Sequence, residues 1–395
     1  MMSNVTYKEF GSLVNFDKRF QGVDKSLQKT LVPFKHVSAE QLKGMATDEG
    51  DVKLLSTGQF DGVTTEEIAG EYMNIGEVIS IPTGGAPSIK YYNGKFVDSG
   101  NILCVAKDET ISLEYVFFAL LANEELLARN FRGASIKHPQ MDQIWKIKIP
   151  VPDVDEQRMI VKQLTCIRLI IASKKEQLSE YEKLVQSIFY DMFGDPIANP
   201  NGWEMKKLCE VVHPKCPISY GIVQPGDGET DGIPVVRPVD LRDCEYIHRF
   251  GLKCTTLDIS NAYKRTILRG DELLICVRGT TGLLGFVSPE LRGCNVTRGI
   301  VPLFFDEEVA SKFFMSSVLR TNGIQEIIAE KTYGATLKQI NIKDLREIRI
   351  PLPPLDLQKA FASKISAIEQ QKELIRTSIA ETEALLAARM QYYFD

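Results

Sequence analysis

The sequence is short of the residues that build metal sites. It has four histidines among 395 residues, and its eight cysteines form no CxxC pair. Structural zinc sites need four Cys or His ligands at short, paired spacings. The nearest cysteines, Cys209 and Cys216, have no second pair at such a spacing. We therefore expect free structural thiols and no bound metal.

Long apolar runs are also missing. No stretch approaches the ~18 apolar residues of a membrane span. The opening sequence MMSNVTYKEF lacks the basic and then apolar pattern of a signal peptide. We expect a cytoplasmic protein without a membrane partner.

Motifs for catalysis are absent as well. GxSxG, HExxH and GxxxxGK[ST] do not occur. An adenine methyltransferase needs an [ND]PP[YF] motif and a glycine-rich cofactor loop, and PLPPLD lacks both the asparagine and the aromatic residue. We expect no catalytic residue and no cofactor in this chain.

An excess of positive charge is missing too. The net charge is -5, which by itself argues against a nucleic-acid partner. Phosphate binding depends, however, on a basic patch on one face rather than on the total. The charge count therefore leaves the partner open.

The stretch Ile149–Phe193 dominates what is present. It opens IPVPDVDEQRMIVKQL, and its apolar residues recur at alternating steps of four and three, the pattern of a coiled-coil seam. The predicted helix is roughly 60 Å long and needs a partner helix. The seam residues are Ile160, Leu164, Ile167, Ile171 and Leu178.

A partner occurs in the second half, at Ile350–Phe394. One constant offset superposes the two stretches without a gap and also matches Gly133 to Gly334 and Lys137 to Lys338. A fixed offset of this extent indicates a tandem duplication. The second seam consists of Phe361, Ile365, Ile368, Ile375 and Ile379, with Lys372 and Thr382 as polar interruptions.

The duplication predicts an α+β protein with four segments. A mixed α/β domain is predicted over 1–150, a central long helix over 151–194, a second such domain over 195–353 and a C-terminal long helix over 354–395. We expect the two helices to form an antiparallel, coiled-coil-like pair.

Two stretches suggest surface loops. GDELLICVRGTTG predicts a buried strand that enters a glycine-rich turn presenting Arg278, Thr280 and Thr281. Such a turn offers amides and hydroxyls to phosphates, and an arginine reaches a base edge. A purely structural turn is the alternative. In the first half, Pro82–Lys95 predicts a mobile, turn-rich stretch that is either a groove-contacting loop or a solvated hairpin.

These marks together resemble the specificity subunit of a type I restriction-modification system, over essentially the whole chain. The resemblance rests on the duplicated plan and on the phrases RGASIKHPQMDQIWKIKIPVPDVDEQ and YGATLKQINIKDLREIRIPLPPLDLQ. ISYGIVQPG with GIPVVRPVDL, and the GTTG turn, also resemble the family's target-recognition domains.

The resemblance implies a non-catalytic subunit that reads double-stranded DNA. Each globular domain would read one half of a bipartite target, and the helix pair would set the gap between the halves. The helices would dock two methyltransferase subunits, which bring S-adenosylmethionine, and restriction/translocase subunits would join them.

Side chains that reach the major groove are the expected readers. Lys137 and Lys338 share one repeat position, so we expect a phosphate contact made twice. The predicted DNA contacts in the first domain are Lys90, Tyr91, Tyr92, Ser135 and Lys137. Those in the second are Tyr220, Gln224, Arg237, Arg278, Thr280, Thr281, Arg298, Thr336 and Lys338.

The alternative is a coiled-coil scaffold whose globular ends bind protein instead of DNA. Salt separates the two functions, because DNA binding falls steeply with ionic strength when phosphates are neutralised.

Overall fold

A computed structural model describes residues 5–17, 34–133, 136–226, 232–242, 246–334 and 337–395. The chain divides into two compact units. Unit 1 comprises Met1–Lys174 with Ser378–Asp395, and unit 2 comprises Lys175–Thr377. Within the described ranges, no helix is long and apolar enough to cross a membrane.

Unit 1 is built on a six-stranded sheet of order β2-β7-β5-β6-β3-β4, in which only the β3–β6 pairing is parallel. Its apolar face packs against α4 around Phe10, Ile79 and Phe118. The elements are β1 (Thr6–Glu9), α1 (Phe10–Leu13), β2 (Val14–Phe16), α2 (Ala39–Gly44), β3 (Val52–Leu55), β4 (Asp61–Thr64), α3 (Glu66–Ala69), β5 (Asn74–Pro82), β6 (Lys90–Asp98), β7 (Asn101–Ala106), α4 (Leu113–Ala122), α5 (Glu124–Arg129), β8 (Phe131–Arg132), β9 (His138–Pro139), α6 (Met141–Ile144), β10 (Lys148–Val151) and α7 (Val154–Phe193).

Unit 2 has two smaller sheets, of order β13-β16-β15-β18 and β14-β12-β17. Its main core surrounds Leu273, Phe314 and Phe361. The elements are β11 (Glu204–Lys207), α8 (Leu208–Val211), β12 (Ile233–Val236), β13 (Tyr246–Ile247), β14 (Lys253–Thr255), α9 (Leu257–Ala262), β15 (Leu273–Cys276), β16 (Leu284–Val287), β17 (Asn295–Val296), β18 (Ile300–Leu303), α10 (Lys312–Arg320), α11 (Asn322–Glu330), β19 (Thr332–Tyr333), β20 (Gln339–Ile340), α12 (Ile342–Arg346), β21 (Arg349–Leu352) and α13 (Leu355–Phe394).

The duplication predicted from the sequence is visible in matching contacts. β1 pairs antiparallel with β10 in unit 1, and β11 pairs in the same way with β21 in unit 2. These strand pairs lead directly into α7 and α13. Each long helix is divided between the units, since residues 154–174 and 378–394 belong to unit 1 and residues 175–193 and 355–377 belong to unit 2. The long helices begin at Val154 and Leu355, three residues and one residue after the predicted bounds of 151 and 354.

A buried glutamine repeats at the start of each long helix. Gln157 accepts a hydrogen bond from the Ser112 N–H (2.9 Å) and donates to the carbonyl of Pro152 (3.0 Å). Gln358 accepts from the Ser311 N–H (2.9 Å) and donates to the carbonyl of Pro353 (2.8 Å). The repeated phrases that end in DEQ and DLQ thus form the same set of hydrogen bonds in each unit.

The two long helices run antiparallel within each unit. In unit 1, the hydroxyl of Tyr393 donates to Gln163 (2.7 Å), and Lys174 Nζ donates to the Ser378 hydroxyl (2.7 Å). Contacts therefore move backwards along α13 as α7 advances. In unit 2 the ring of Phe361 lies 5.9 Å from that of Phe189 and 5.3 Å from that of Phe193.

The predicted seam is most deeply buried in the first three turns of each long helix, at Ile160 and Leu164 in α7 and at Phe361 and Ile365 in α13. Its buried members are Ile160, Leu164, Ile171, Phe361, Ile365 and Ile379. Its half-buried members are Ile167, Leu178, Ile368 and Ile375.

Two lysines of the helix pair have partners inside it, Lys174 in α7 and Lys372 in α13. Lys174 also donates to the Thr382 hydroxyl at 2.8 Å, so two polar interruptions satisfy each other. Lys372 is buried and pairs with Glu369 at 3.0 Å. The sequence predicted Lys372 and Thr382 as polar interruptions of the seam, and in the fold both side chains make polar contacts.

Of the two alternatives for Pro82–Lys95, the structure forms a hairpin, with a shorter turn than predicted. From Lys90 onwards the stretch is β6, which pairs antiparallel with β5 from Ser80↔Lys90 to Asn74↔Phe96. The two helices α4 and α5 follow each other closely and meet at Asn123. Ser112 caps the first of them, because its Oγ accepts a hydrogen bond from the Tyr115 N–H.

Candidate nucleic-acid interface

A glycine turn and a hairpin meet at one joint in each unit. In unit 1 the turn follows β5, and the Gly85 N–H donates to the carbonyl of Lys137 at 2.9 Å. In unit 2 the turn follows β15, and the Gly279 N–H donates to the carbonyl of Lys338 at 2.8 Å. Both glycines have a positive φ, of 100° and 89°. The same backbone contact is thus built twice from separate parts of the chain.

The hairpins at the joints pair β8 with β9 and β19 with β20. Each turns at a glycine with positive φ, Gly133 at 153° and Gly334 at 108°. A Cβ on Gly133 would lie 2.0 Å from the carbonyl oxygen of Ile136, and one on Gly334 would lie 2.3 Å from that of Leu337. Glycine is therefore required at both turns.

The hairpins expose the two lysines that share a repeat position. Lys137 and Lys338 are both exposed beside the joint. Side chains so placed can reach a phosphate without first breaking a contact in the fold. The predicted contacts Ser135 and Thr336 lie outside the described residues.

The predicted turn at Arg278, Thr280 and Thr281 is present, between β15 and β16. Arg278 forms a β-bridge with Gln339, and the Thr332 hydroxyl donates to that of Thr281 at 3.0 Å. Thr280 is exposed. The turn and the hairpin of unit 2 are thus held as one surface.

Two further predicted residues reach the same edge of unit 2. The guanidinium of Arg298 lies 5.6 Å from the centre of the Tyr220 ring, within the range of a cation–π contact. The Val277 N–H donates to the carbonyl of Gly299 at 2.8 Å, which places Arg298 beside the turn. The structure therefore brings Tyr220, Arg278 and Arg298 together near Lys338.

The remaining predicted residues of unit 2 differ in how firmly the fold holds their side chains. Arg237 makes two hydrogen bonds to the carboxylate of Asp240, at 3.0 and 2.7 Å, and this pairing raises the pKa of its guanidinium. The positive charge of Arg237 is therefore already paired with a carboxylate of the same unit. Gln224 is exposed, close along the chain to Ile222, which bridges Thr297.

The three predicted residues of β6 serve the fold. Lys90 donates to the carbonyls of Ser56 and Gly58, both at 2.8 Å, and burial lowers its pKa. The Tyr91 hydroxyl donates to Glu77 (2.8 Å), while the Tyr92 ring packs against Phe96 in the core. None of these contacts joins the strand to the hairpin of unit 1, and DNA contact by the three residues stays a prediction.

Sequence reasoning missed the hairpin residues next to the shared lysines. His138 is exposed, and its Nδ1 lies 2.8 Å from the carbonyl oxygen of Thr83 in the facing turn. Gln339 donates to the hydroxyl of Tyr333 at 2.9 Å. The offset that matches Lys137 to Lys338 also matches His138 to Gln339, so the repeat itself carried the signal.

A cavity of about 370 Å³ lies behind the unit 2 turn. The turn, α10 and both long helices line it, and the Lys372–Glu369 pair forms part of its wall. Gln325 spans one side and donates to the carbonyl of Gly282 at 3.1 Å. Part of the turn is therefore backed by open space, while Gln325 holds its end at Gly282.

Comparison with known proteins places this geometry in a family. The model described as "Type I restriction modification DNA specificity domain" matches residues 39–183 and 200–384, once in each half. The resemblance read from the sequence and the duplicated α+β plan are thereby confirmed.

Curated relatives and a solved structure agree with this match. The chain is 20% identical to the type I restriction enzyme EcoBI specificity subunit of Escherichia coli, over 66% of this chain and 60% of that protein. It is 23% identical to the putative type I restriction enzyme MjaX specificity subunit of Methanocaldococcus jannaschii, over 85% and 81%. The S subunit of a type I system from M. genitalium shares the fold, with a TM-score of 0.58 at 15% identity over 99% of this chain and 96% of that one.

Proposed function

Since the chain belongs to the family of type I restriction modification DNA specificity domains, we propose that it is the DNA-reading subunit of such a system. Each unit reads one half of a bipartite target in double-stranded DNA. The single observation that carries the proposal is the joint of turn and hairpin, which both units build with an exposed lysine.

The joint suits DNA because it separates positioning from reading. Lys137 and Lys338 anchor phosphates, which fixes the register of the protein on the duplex. Side chains of the adjoining turn and hairpin then reach base edges in the major groove, where the four base pairs are distinguishable.

Partner subunits supply the chemistry. Two methyltransferase subunits, which carry S-adenosylmethionine, and restriction/translocase subunits join this chain in the complex. The chain itself is non-catalytic and works in the cytoplasm. Exposed apolar side chains along α7 and α13 support docking of partners there. They include Met159, Leu169, Ile170, Leu184, Leu357, Leu374, Leu385 and Tyr392. The scaffold alternative has less support, because the matching family is described as a DNA specificity domain.

Methylation of host DNA tests the proposal directly. Long-read sequencing is compared with and without this gene while the methyltransferase gene stays intact. We expect the loss of one motif that consists of two short specific blocks around an unread gap. An unchanged methylome, in cells where the chain co-purifies with an active methyltransferase, would refute the proposal.

The shared lysines give a quantitative test. Lys137→Ala and Lys338→Ala should each weaken binding of the assembled complex to all DNA sequences. Each should also make the slope of log K against log salt shallower by about one unit. Lys183→Ala is the control, since Lys183 lies on α7 and pairs with Glu180. A change of base preference without a change in salt slope would contradict the phosphate assignment.

A further inference from the structure

We propose that the hairpin position shared by His138 and Gln339 is a base-reading position in both units, and that Arg278 completes it in unit 2 alone. This inference rests on the proposed function. It assigns different hydrogen-bonding groups to one place in the two half-site readers.

The equivalence of the two positions rests on backbone geometry. In the hairpin of unit 1, His138 pairs with Arg132, and in that of unit 2, Gln339 pairs with Tyr333. Each directly follows the lysine whose carbonyl accepts the hydrogen bond from the glycine turn. The two side chains therefore leave the same point of the same joint.

The facing turns match at another offset, 194 residues instead of the 201 that relates the hairpins. It places Gly270 on Gly76 and Gly279 on Gly85, and all four glycines have a positive φ. This alignment puts Gly84 where unit 2 has Arg278. A Cβ built on Gly84 would lie 3.5 Å from Cε1 of the His138 ring. The imidazole thus borders the point from which an arginine side chain begins in unit 2.

In unit 1 the fold fixes the ring of His138. A carbonyl oxygen only accepts hydrogen bonds, so the 2.8 Å contact with Thr83 requires a hydrogen on Nδ1. The neutral ring then presents Nε2 as an acceptor. In the major groove the matching donors are the amino groups of adenine and cytosine.

In unit 2 the fold engages the amide of Gln339 but leaves a donor of Arg278 without an acceptor. Gln339 directs its amide NH₂ at Tyr333, whose hydroxyl in turn donates to Asn341 at 2.8 Å. Among the described residues, Nε of Arg278 is buried and has no hydrogen-bond partner. A buried guanidinium donor without an acceptor is costly. Because the Arg278 side chain as a whole is only half-buried, a small shift of it would bring this donor to an acceptor on a ligand. Guanine O6 and N7 are the acceptors that arginine matches best.

The two half-sites should therefore differ at the base pair that this hairpin position contacts. Unit 2 reads guanine through Arg278, with Gln339 beside it. Unit 1 has no side chain at Gly84 and reads an amino group through His138.

The test uses the complete complex of this chain with its methyltransferase subunits. Its methylation motif is read by sequencing DNA pools randomised in both blocks. His138→Gln should change the preferred base at one position of one block only. Arg278→Ala should relax discrimination at one position of the other block by about tenfold or more, leaving the first block intact. His248→Gln is the matched control, because His248 is an exposed histidine that contacts Glu290 away from the joint.

The outcomes are separable. If the wild-type complex methylates a bipartite motif but neither variant shifts a base preference, the reading position is wrong while the proposed function stands. Uniform weakening by Arg278→Ala over all sequences would make Arg278 a phosphate contact and would also overturn the inference. Arg278→Lys and His138→Asn repeat both measurements in variants that change the packing less, should a first variant fail to fold.

Discussion

The buried glutamines at the start of the long helices explain why a polar residue recurs in an otherwise apolar setting. Gln157 and Gln358 each bond one N–H and two carbonyl groups of buried or half-buried backbone. The side-chain amide is the group that offers both an acceptor and two donors for such a set. Each glutamine thereby ties the start of its helix to the segment before α4 or α10.

Replacing either glutamine by leucine should destabilise its unit. Gln157→Leu leaves three backbone groups without partners, so we expect a loss of about 3 kcal/mol in the free energy of unfolding. Gln358→Leu should cost a similar amount in unit 2. Urea unfolding measures both, with Gln143→Leu as the exposed control. Stability within a few tenths of the control would show that other groups or water replace the amide.

At the scale of elements, the hairpins of the joint depend on their glycines. Gly334→Ala combines an unfavourable φ with a Cβ only 2.3 Å from the carbonyl oxygen of Leu337. Gly293 in the same unit also has a positive φ, of 85°, but open space around it. Comparing alanine substitutions at the two glycines therefore separates the effect of an unfavourable φ from that of a steric clash.

The clash should dominate. Gly293→Ala should lower the free energy of unfolding by about 1 kcal/mol, the cost of a strained φ alone. Gly334→Ala should cost more and should weaken reading of one DNA block, because the hairpin must move. Thermal unfolding together with methylation-motif sequencing checks both. Equal effects of the two substitutions on both measurements would mean that the hairpin tolerates the added atom.

The sequence predicted the elements whose signal is local. The seam of α7 and α13 is periodic, and the repeat is visible as a constant offset, so both followed from residue order alone. β6 did not, because Gly94 and its neighbours signal a turn. In the sheet Gly94 lies opposite Gly76 on β5, and pairing across the two strands outweighs the local signal.

The candidate site shows the same limit. Lys137, Lys338 and the turn at Arg278 were identified from motifs that each occupy a few consecutive residues. The joint itself links Gly85 to Lys137 and Gly279 to Lys338. These are long-range contacts without a local signal. The repeat offset made His138 and Gln339 equivalent, but only the fold shows that their position lies beside the glycine turn.

At the scale of the whole molecule, each long helix ends in the core of the other repeat. Phe394, which belongs to the second repeat, packs in unit 1 with its ring 5.2 Å from that of Tyr115. Phe193, its equivalent in the first repeat, packs in unit 2 with its ring 4.9 Å from that of Phe314. Each compact unit is therefore completed by a segment from the far end of the other repeat.

Because each helix end packs in the core of the other repeat, we can predict which unit a mutation weakens. Phe394→Ala should destabilise unit 1 by about 3–5 kcal/mol, although residue 394 follows unit 2 in the sequence, because it removes a buried ring from the unit 1 core. Phe193→Ala should weaken unit 2 instead. Hydrogen exchange measured by mass spectrometry reports both, through residues 101–122 for unit 1 and 271–303 for unit 2.

Tyr392→Ala is the control for Phe394→Ala, since the neighbouring Tyr392 is 61% exposed and should leave both segments protected. If Phe394→Ala speeds exchange equally in 101–122 and 271–303, the two units unfold as one. In that case the long helices couple the stability of the two readers, and a substitution in either core would weaken recognition of both DNA blocks. Faster hydrogen exchange confined to 101–122 means instead that one reader can lose stability while the other keeps its fold.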